Sequence, residues 1–101
     1  MSERSITHVP PPGTMTAFEL DGEHLAVANV AGTLYAFADL CPHRQCSLAE
    51  GALVDAVVTC PCHGSQFDVR TGDRLRGPAV RAILVYAVHE ETGELRVELP
   101  S

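Results

Sequence analysis

Apolar and polar positions alternate along much of this chain with a period of two, and turn residues cut the alternation into short runs. "TMTAFEL" (14–20) and "HLAVANV" (24–30) flank Asp21-Gly22-Glu23, and "LYAFA" (34–38) follows Ala31-Gly32, the pattern of strands joined by tight turns. "GALVDAVVT", Gly51 to Thr59, is rich in β-branched residues and reads as one strand running straight into Cys60. "FDV" then meets the turn "RTGD", and "AILVYAVHE" and "LRVEL" flank "ETGE" as a closing hairpin. No stretch keeps a helical period, there is no internal repeat, and the prolines at 10 to 12 read as a short connector. The expectation is a small all-β sandwich or barrel whose loops carry the chemistry.

Length and charge narrow the class. A chain of 101 residues, 46% of them apolar, has the size of one domain, and residues 1–101 are read as a single unit. The net charge of -6 with scattered basic residues leaves no nucleic-acid footprint and disfavours an anionic membrane surface, while favouring a partner of basic character. The N-terminus "MSERSITHVPPPG" lacks the apolar core of a signal peptide, and no apolar run approaches the roughly 18 residues of a spanning helix. A cytoplasmic, soluble protein is expected. In that compartment cysteines more often hold metals or do redox work than form disulfide frameworks.

All four cysteines fall in two short clusters, "CPHRQCSL" from Cys41 and "CPCHGSQFD" from Cys60. Cys41 and His43 are two apart, Cys60 and His63 three apart, with sixteen residues between the pairs, so each cluster offers one thiolate and one imidazole. Two Cys and two His suit a tetrahedral zinc. Structural zinc sites more often group Cys with Cys and His with His, whereas here each loop is mixed. Mixed ligation matches a Rieske centre, in which two His replace two Cys on one iron of a [2Fe-2S] cluster.

The double motif, followed by "GSQFD", a Thr-Gly turn and "RGPA" at Arg76 to Ala79, resembles the Rieske-type ferredoxins from about Thr14 to Glu98. That resemblance implies three stacked antiparallel β-sheets, two ligand loops at one tip, and the Pro78 segment covering the cluster from the side. It implies that Cys41 and Cys60 bind the inner iron and His43 and His63 the outer one, so that these four residues are the metal ligands. Two thiolates leave the oxidised centre neutral where four would leave it at minus two, so reduction is easier. The gap between about -400 mV for plant-type ferredoxins and about -150 mV for the lowest Rieske centres is worth roughly 6 kcal/mol per electron.

Cys46 and Cys62 are either free buried thiols or, by the same resemblance, the pair that bridges the ligand loops in Rieske proteins of respiratory and photosynthetic complexes. Such a bridge would be buried beside the cluster and escape thiol exchange through poor access. Ser65 resembles a serine that hydrogen-bonds a cluster sulfide. Phe67 departs from the pattern, standing where those proteins carry a tyrosine that donates to a ligand thiolate. Gly64 and Gly77 are read as backbone requirements, Arg44 and Gln45 as loop residues facing a partner or solvent, and His8, His24 and His89 as surface or strand residues.

With no nucleotide-binding glycine motif and no acid–base pair beyond the ligands, the chain has little with which to do substrate chemistry. The resemblance implies an electron carrier rather than an enzyme: a monomer shuttling one electron from a flavin-dependent NAD(P)H reductase to a terminal oxygenase, often one that hydroxylates aromatic rings. Two other classes stay open, a small subunit resembling that of assimilatory nitrite reductase and a zinc-stabilised interaction module.

Overall fold

The computed structural model describes residues 2–7, 9–42, 46–62, 64–91 and 94–99. Among them run eleven strands: β1 Ser2–Ile6, β2 Met15–Leu20, β3 Glu23–Val30, β4 Thr33–Ala38, β5 Ala52–Val54, β6 Val57–Thr59, β7 Gln66–Asp68, β8 Arg74–Arg76, β9 Val85–Tyr86, β10 Val88–Glu91 and β11 Glu94–Leu99. A single 3-10 turn, Leu48–Glu50, interrupts them. They form three antiparallel sheets, ordered β1-β11-β10, β2-β3-β4-β9 and β5-β6-β7-β8.

Local chemistry sets the hairpins. Asp21-Gly22 and Ala31-Gly32 all have positive φ (51°, 82°, 53° and 96°), the conformation of two-residue turns whose twist matches that of the flanking strands. Leu20 thereby faces Glu23, and Val30 faces Thr33.

The second sheet is the middle layer, and β3 explains why. Its Leu25, Val27 and Ala26, Ala28 are all fully buried, but on opposite faces. Leu25 and Val27 join a core with Ile6, Leu95, Val97 and Leu99 of the first sheet. Ala26 and Ala28 join another with Phe37, Cys41, Leu48, Val58, Cys60 and Phe67. Small alanines let the third sheet approach closely, and the large rings of Phe37 and Phe67 fill what remains. Each ring is fully buried, so truncation to alanine would cost about 3 to 5 kcal/mol.

Three readings of the strands change. Gly51 to Thr59 is not one strand but the hairpin β5–β6, because Asp55 takes φ 54° and turns the chain. "AILVYAVHE" is divided at Ala87 between β9 of the middle sheet and β10 of the first, so a continuous apolar run serves two layers. β1, a polar stretch without alternation, was not anticipated and is held by pairing its backbone with β11 from Ser2↔Leu99 to Ile6↔Leu95. The turn at Thr92 and Gly93 and the residue His8 lie outside the described residues.

Candidate metal centre

Two strands from different sheets deliver the two cysteines. β4 ends at Ala38 and leads through Asp39 to Cys41, while β6 ends at Thr59, directly before Cys60. Both loops close with the same bond: the N–H of the leading cysteine donates to the carbonyl five residues on, Cys41 to Cys46 at 2.9 Å and Cys60 to Ser65 at 2.8 Å. Gly64 meets the tight return of the second loop with φ 81° and donates to the Cys60 carbonyl at 3.1 Å.

Asp39 clamps the first loop. This residue is 4% exposed, and its carboxylate accepts from the Ser47 hydroxyl at 2.6 Å and the Ala49 N–H at 2.9 Å. Its carbonyl accepts from the Leu48 N–H at 2.7 Å, beside the bridge pairing Leu40 with Ser47. A buried carboxylate needs such donors. Sequence reading missed Asp39, whose only signal is its place between a strand and the first cysteine.

Cys41 and Cys60 are free thiols, 0% and 3% exposed, in one apolar cluster. Cys46 and Cys62 form a disulfide between the loops, with Cα atoms 6.5 Å apart. The Cys60 sulfur lies within 4.8 Å of both bridge sulfurs. Since the bridge consumes two of these three, the group offers one metal-binding thiolate, not three. The bridge is not buried as expected: Cys62 is exposed and Cys46 half-buried, so shielding cannot protect it from thiols.

Ser65 is fully buried, and its hydroxyl oxygen accepts from the Ala79 N–H at 2.9 Å, bolting the second loop to the segment after β8. This leaves the hydroxyl proton free to donate elsewhere. Pro78 itself is exposed, following a cis peptide bond from Gly77. Its neighbour Ala79, 1% exposed, is the residue that packs with Cys41 and Cys60. Gly77 shows neither a positive φ nor crowding, since an added Cβ would meet nothing nearer than 3.6 Å, so the backbone requirement read there is absent. His43, His63, Arg44 and Gln45 lie outside the described residues.

Downstream, Asp68 closes the turn into β8. Arg70 donates to its carboxylate through two guanidinium nitrogens, at 3.0 and 2.9 Å, and through its backbone N–H at 2.9 Å. The guanidinium beside Asp68 holds its carboxyl below the usual carboxylate range.

The model of the Rieske [2Fe-2S] domain matches residues 3–89. This chain belongs to the Rieske [2Fe-2S] domain family. Over 77 residues, 75% of this chain and 73% of its relative, it is 42% identical to the 3-phenylpropionate/cinnamic acid dioxygenase ferredoxin subunit of Escherichia coli strain K12. The solved ferredoxin of carbazole 1,9a-dioxygenase from Nocardioides aromaticivorans IC177 superimposes with a TM-score of 0.83 at 34% identity, covering 86% of both chains. A chain in the complex of reduced oxygenase and oxidized ferredoxin in carbazole 1,9a-dioxygenase matches at TM-score 0.81 and 38% identity, over 85% of this chain and 81% of that one. The Rieske family, the three-sheet architecture and the disulfide thus agree with the reading from sequence, and membership of the family displaces the zinc-module alternative. Among the described residues no helix is long and apolar enough to cross a membrane.

The donors present fit a Rieske cluster. Two free thiols, buried together and rooted in loops closed by backbone bonds, match the two-thiolate requirement, and the other two cysteines are withdrawn from ligation by their bond to each other.

Proposed function

We propose that this chain is the ferredoxin of a multicomponent oxygenase system, accepting electrons one at a time from a flavin-dependent NAD(P)H reductase and delivering them to a terminal oxygenase that hydroxylates aromatic substrates. Cys41, His43, Cys60 and His63 would hold the cluster, with Ser65 and the Pro78 segment beside it. The observation that carries this reading is the pair of buried free thiols behind two disulfide-linked loops. It is supported by likeness over three quarters of the chain to a dioxygenase ferredoxin subunit. When bound, the cluster takes up and gives up one electron.

The chain's own residues set the terms of that exchange. Burial of Cys41 and Cys60 among Leu48, Val58 and Phe67 excludes water from the thiolates. The Ser65 hydroxyl, anchored through its oxygen by Ala79, keeps a proton to donate to the more negative reduced state, which raises the potential. Phe67, fully buried, has no such proton, so the potential falls between that of a site with both donors and that of one with neither.

Electron paramagnetic resonance of the reduced protein tests the ligands: hyperfine coupling to two imidazole nitrogens is expected, and a four-thiolate spectrum would refute them. The role is tested by reconstitution, following visible bleaching with NAD(P)H reductases and reoxidation by terminal oxygenases. Reduction without reoxidation by any of them would reject the carrier role.

A further inference from the structure

The chain is acidic overall, but its charge is divided. From Arg74 to Val85 there are three arginines and no acidic residue, a net +3, while the remainder carries four arginines and thirteen acidic residues, a net -9. Arg74, Arg76 and Arg81 are all exposed, and none makes an ion pair or side-chain hydrogen bond with a described residue. Among them stand four of the five large apolar side chains exposed among the described residues, including Val80 at 88%, Leu84 at 67% and Leu75 at 52%; the fifth, Val54 at 66%, lies outside the segment.

The same segment backs onto the thiols. Ala79 and Ile83, 1% and 6% exposed, pack in the cluster that contains Cys41 and Cys60, and their neighbours Val80 and Leu84 point out. Three bonds fix this arrangement: Ala79 N–H to Ser65 Oγ at 2.9 Å, Ile83 N–H to the Gly72 carbonyl at 2.9 Å, and Ala38 N–H to the Leu84 carbonyl at 2.8 Å. Solvent-facing aliphatics on one fixed segment, interspersed with arginines that have no ionic partner among the described residues, have the composition of an interface centre, where arginine is enriched and aliphatics lose water. Arginine forks match carboxylates in particular.

We propose that Leu75, Val80 and Leu84, with Arg74, Arg76 and Arg81, form the docking face for the electron-accepting protein, and that this protein presents an apolar patch ringed by carboxylates. The inference rests on the carrier role and deepens it. The net charge of -6 favours a basic partner, whereas the field of the segment whose Ala79 and Ile83 share the thiols' core cluster favours an acidic one. Opposed fields on one molecule orient the encounter: the acidic remainder is repelled by the same carboxylates that attract the face.

Stopped-flow oxidation of the reduced protein tests the charge with ferricyanide, and the partner with the terminal oxygenase that reconstitution selects. With ferricyanide the rate constant should rise as ionic strength falls, despite the net negative charge; a fall would overturn the proposal. With the oxygenase, the double variant Arg76→Glu with Arg81→Glu should lower the second-order rate constant at least about tenfold at low salt, the loss shrinking as salt rises. Val80→Asp, at a position too exposed to disturb folding, should lower it at every salt concentration. Calorimetric affinity of the oxidised protein for the oxygenase should fall in parallel, with spectrum and midpoint potential unchanged. If the variants match wild type while wild type still reduces the oxygenase, the face is wrong and the carrier role stands. If no oxygenase accepts electrons the carrier role fails, and the ferricyanide slope still decides the sign of the field. Arginine-dependent sedimentation with anionic phospholipid vesicles would assign the face to a membrane and overturn the proposal.

Discussion

Replacing Asp39 with alanine should open the first ligand loop without unfolding the sheets. The carboxylate takes the Ser47 hydroxyl and the Ala49 N–H at 2.6 and 2.9 Å in a site 4% exposed, so its removal leaves two donors without their partner. A hydrogen bond to a charged group contributes about 1.5 to 3 kcal/mol. Two together give about 3 to 6 kcal/mol, which multiplies loop opening between roughly a hundredfold and a few tens of thousandfold. Asp39→Asn keeps one acceptor, and the rotating Ser47 hydroxyl can accept from the new amide, so its cost should be about half. Native-state hydrogen exchange reads the effect at the Cys41 and Leu48 amides, whose own acceptors are backbone carbonyls that the substitution leaves in place. Both should exchange at least about a hundredfold faster in the alanine variant, while Val27 of β3 should not change. Exchange at Cys41 and Leu48 within about threefold of wild type would refute the clamp.

Ser65→Ala should cost about 1 to 3 kcal/mol by orphaning the buried Ala79 N–H, visible in the urea midpoint, and should lower the reduction potential; an unchanged potential would show that the hydroxyl proton points away from the thiols. Because the Arg70 guanidinium lowers the Asp68 pKa, the pair's stabilisation should be present above the unfolded carboxyl's pKa, near 4, and lost as pH falls through the folded value. Asp68→Asn should remove that part of the acid dependence, measured by thermal melts from pH 6 to pH 2, taken as about four units of titration range. The exposed bridge should open to a small phosphine before global unfolding, seen as two additional alkylated thiols by mass, and Cys46→Ser with Cys62→Ser should cost about 3 kcal/mol for a loop of sixteen residues.

The family was legible because Cys and His types and their spacing cannot be disguised by tertiary packing. The middle sheet was legible too, since two-residue turns at Asp21-Gly22 and Ala31-Gly32 announce themselves in local sequence. Long-range partners were not. β1 exists only because β11 offers its edge, and "VHE" separates from "VY" only because two layers compete for neighbouring strands, neither of which any local pattern records. At the loops, Asp39 and Ala79 act through donors and acceptors distant in sequence, which no local pattern records. The sign of the Arg74–Val85 field was likewise hidden inside a net charge of -6.

The closeness of the Cys60 sulfur to both sulfurs of the bridge gives this protein a direction of assembly. Four cysteines can pair in three ways, and a thiolate within 4.8 Å of a disulfide is near enough to trade places with either member. Attack by Cys60 on Cys46 would release Cys62, an exposed thiol, and bury the Cys60 sulfur in the wrong bond. Atoms and oxidation state balance in that exchange, so no oxidant is needed. Ligation of iron by Cys60, as proposed above, would remove the attacking group. If Cys60 holds iron as proposed, iron has to be loaded before, or together with, closure of the bridge, and a preparation stripped of iron with its disulfide intact would be the form most exposed to scrambling. Refilling such a preparation would require a thiol reductant first and the oxidant last.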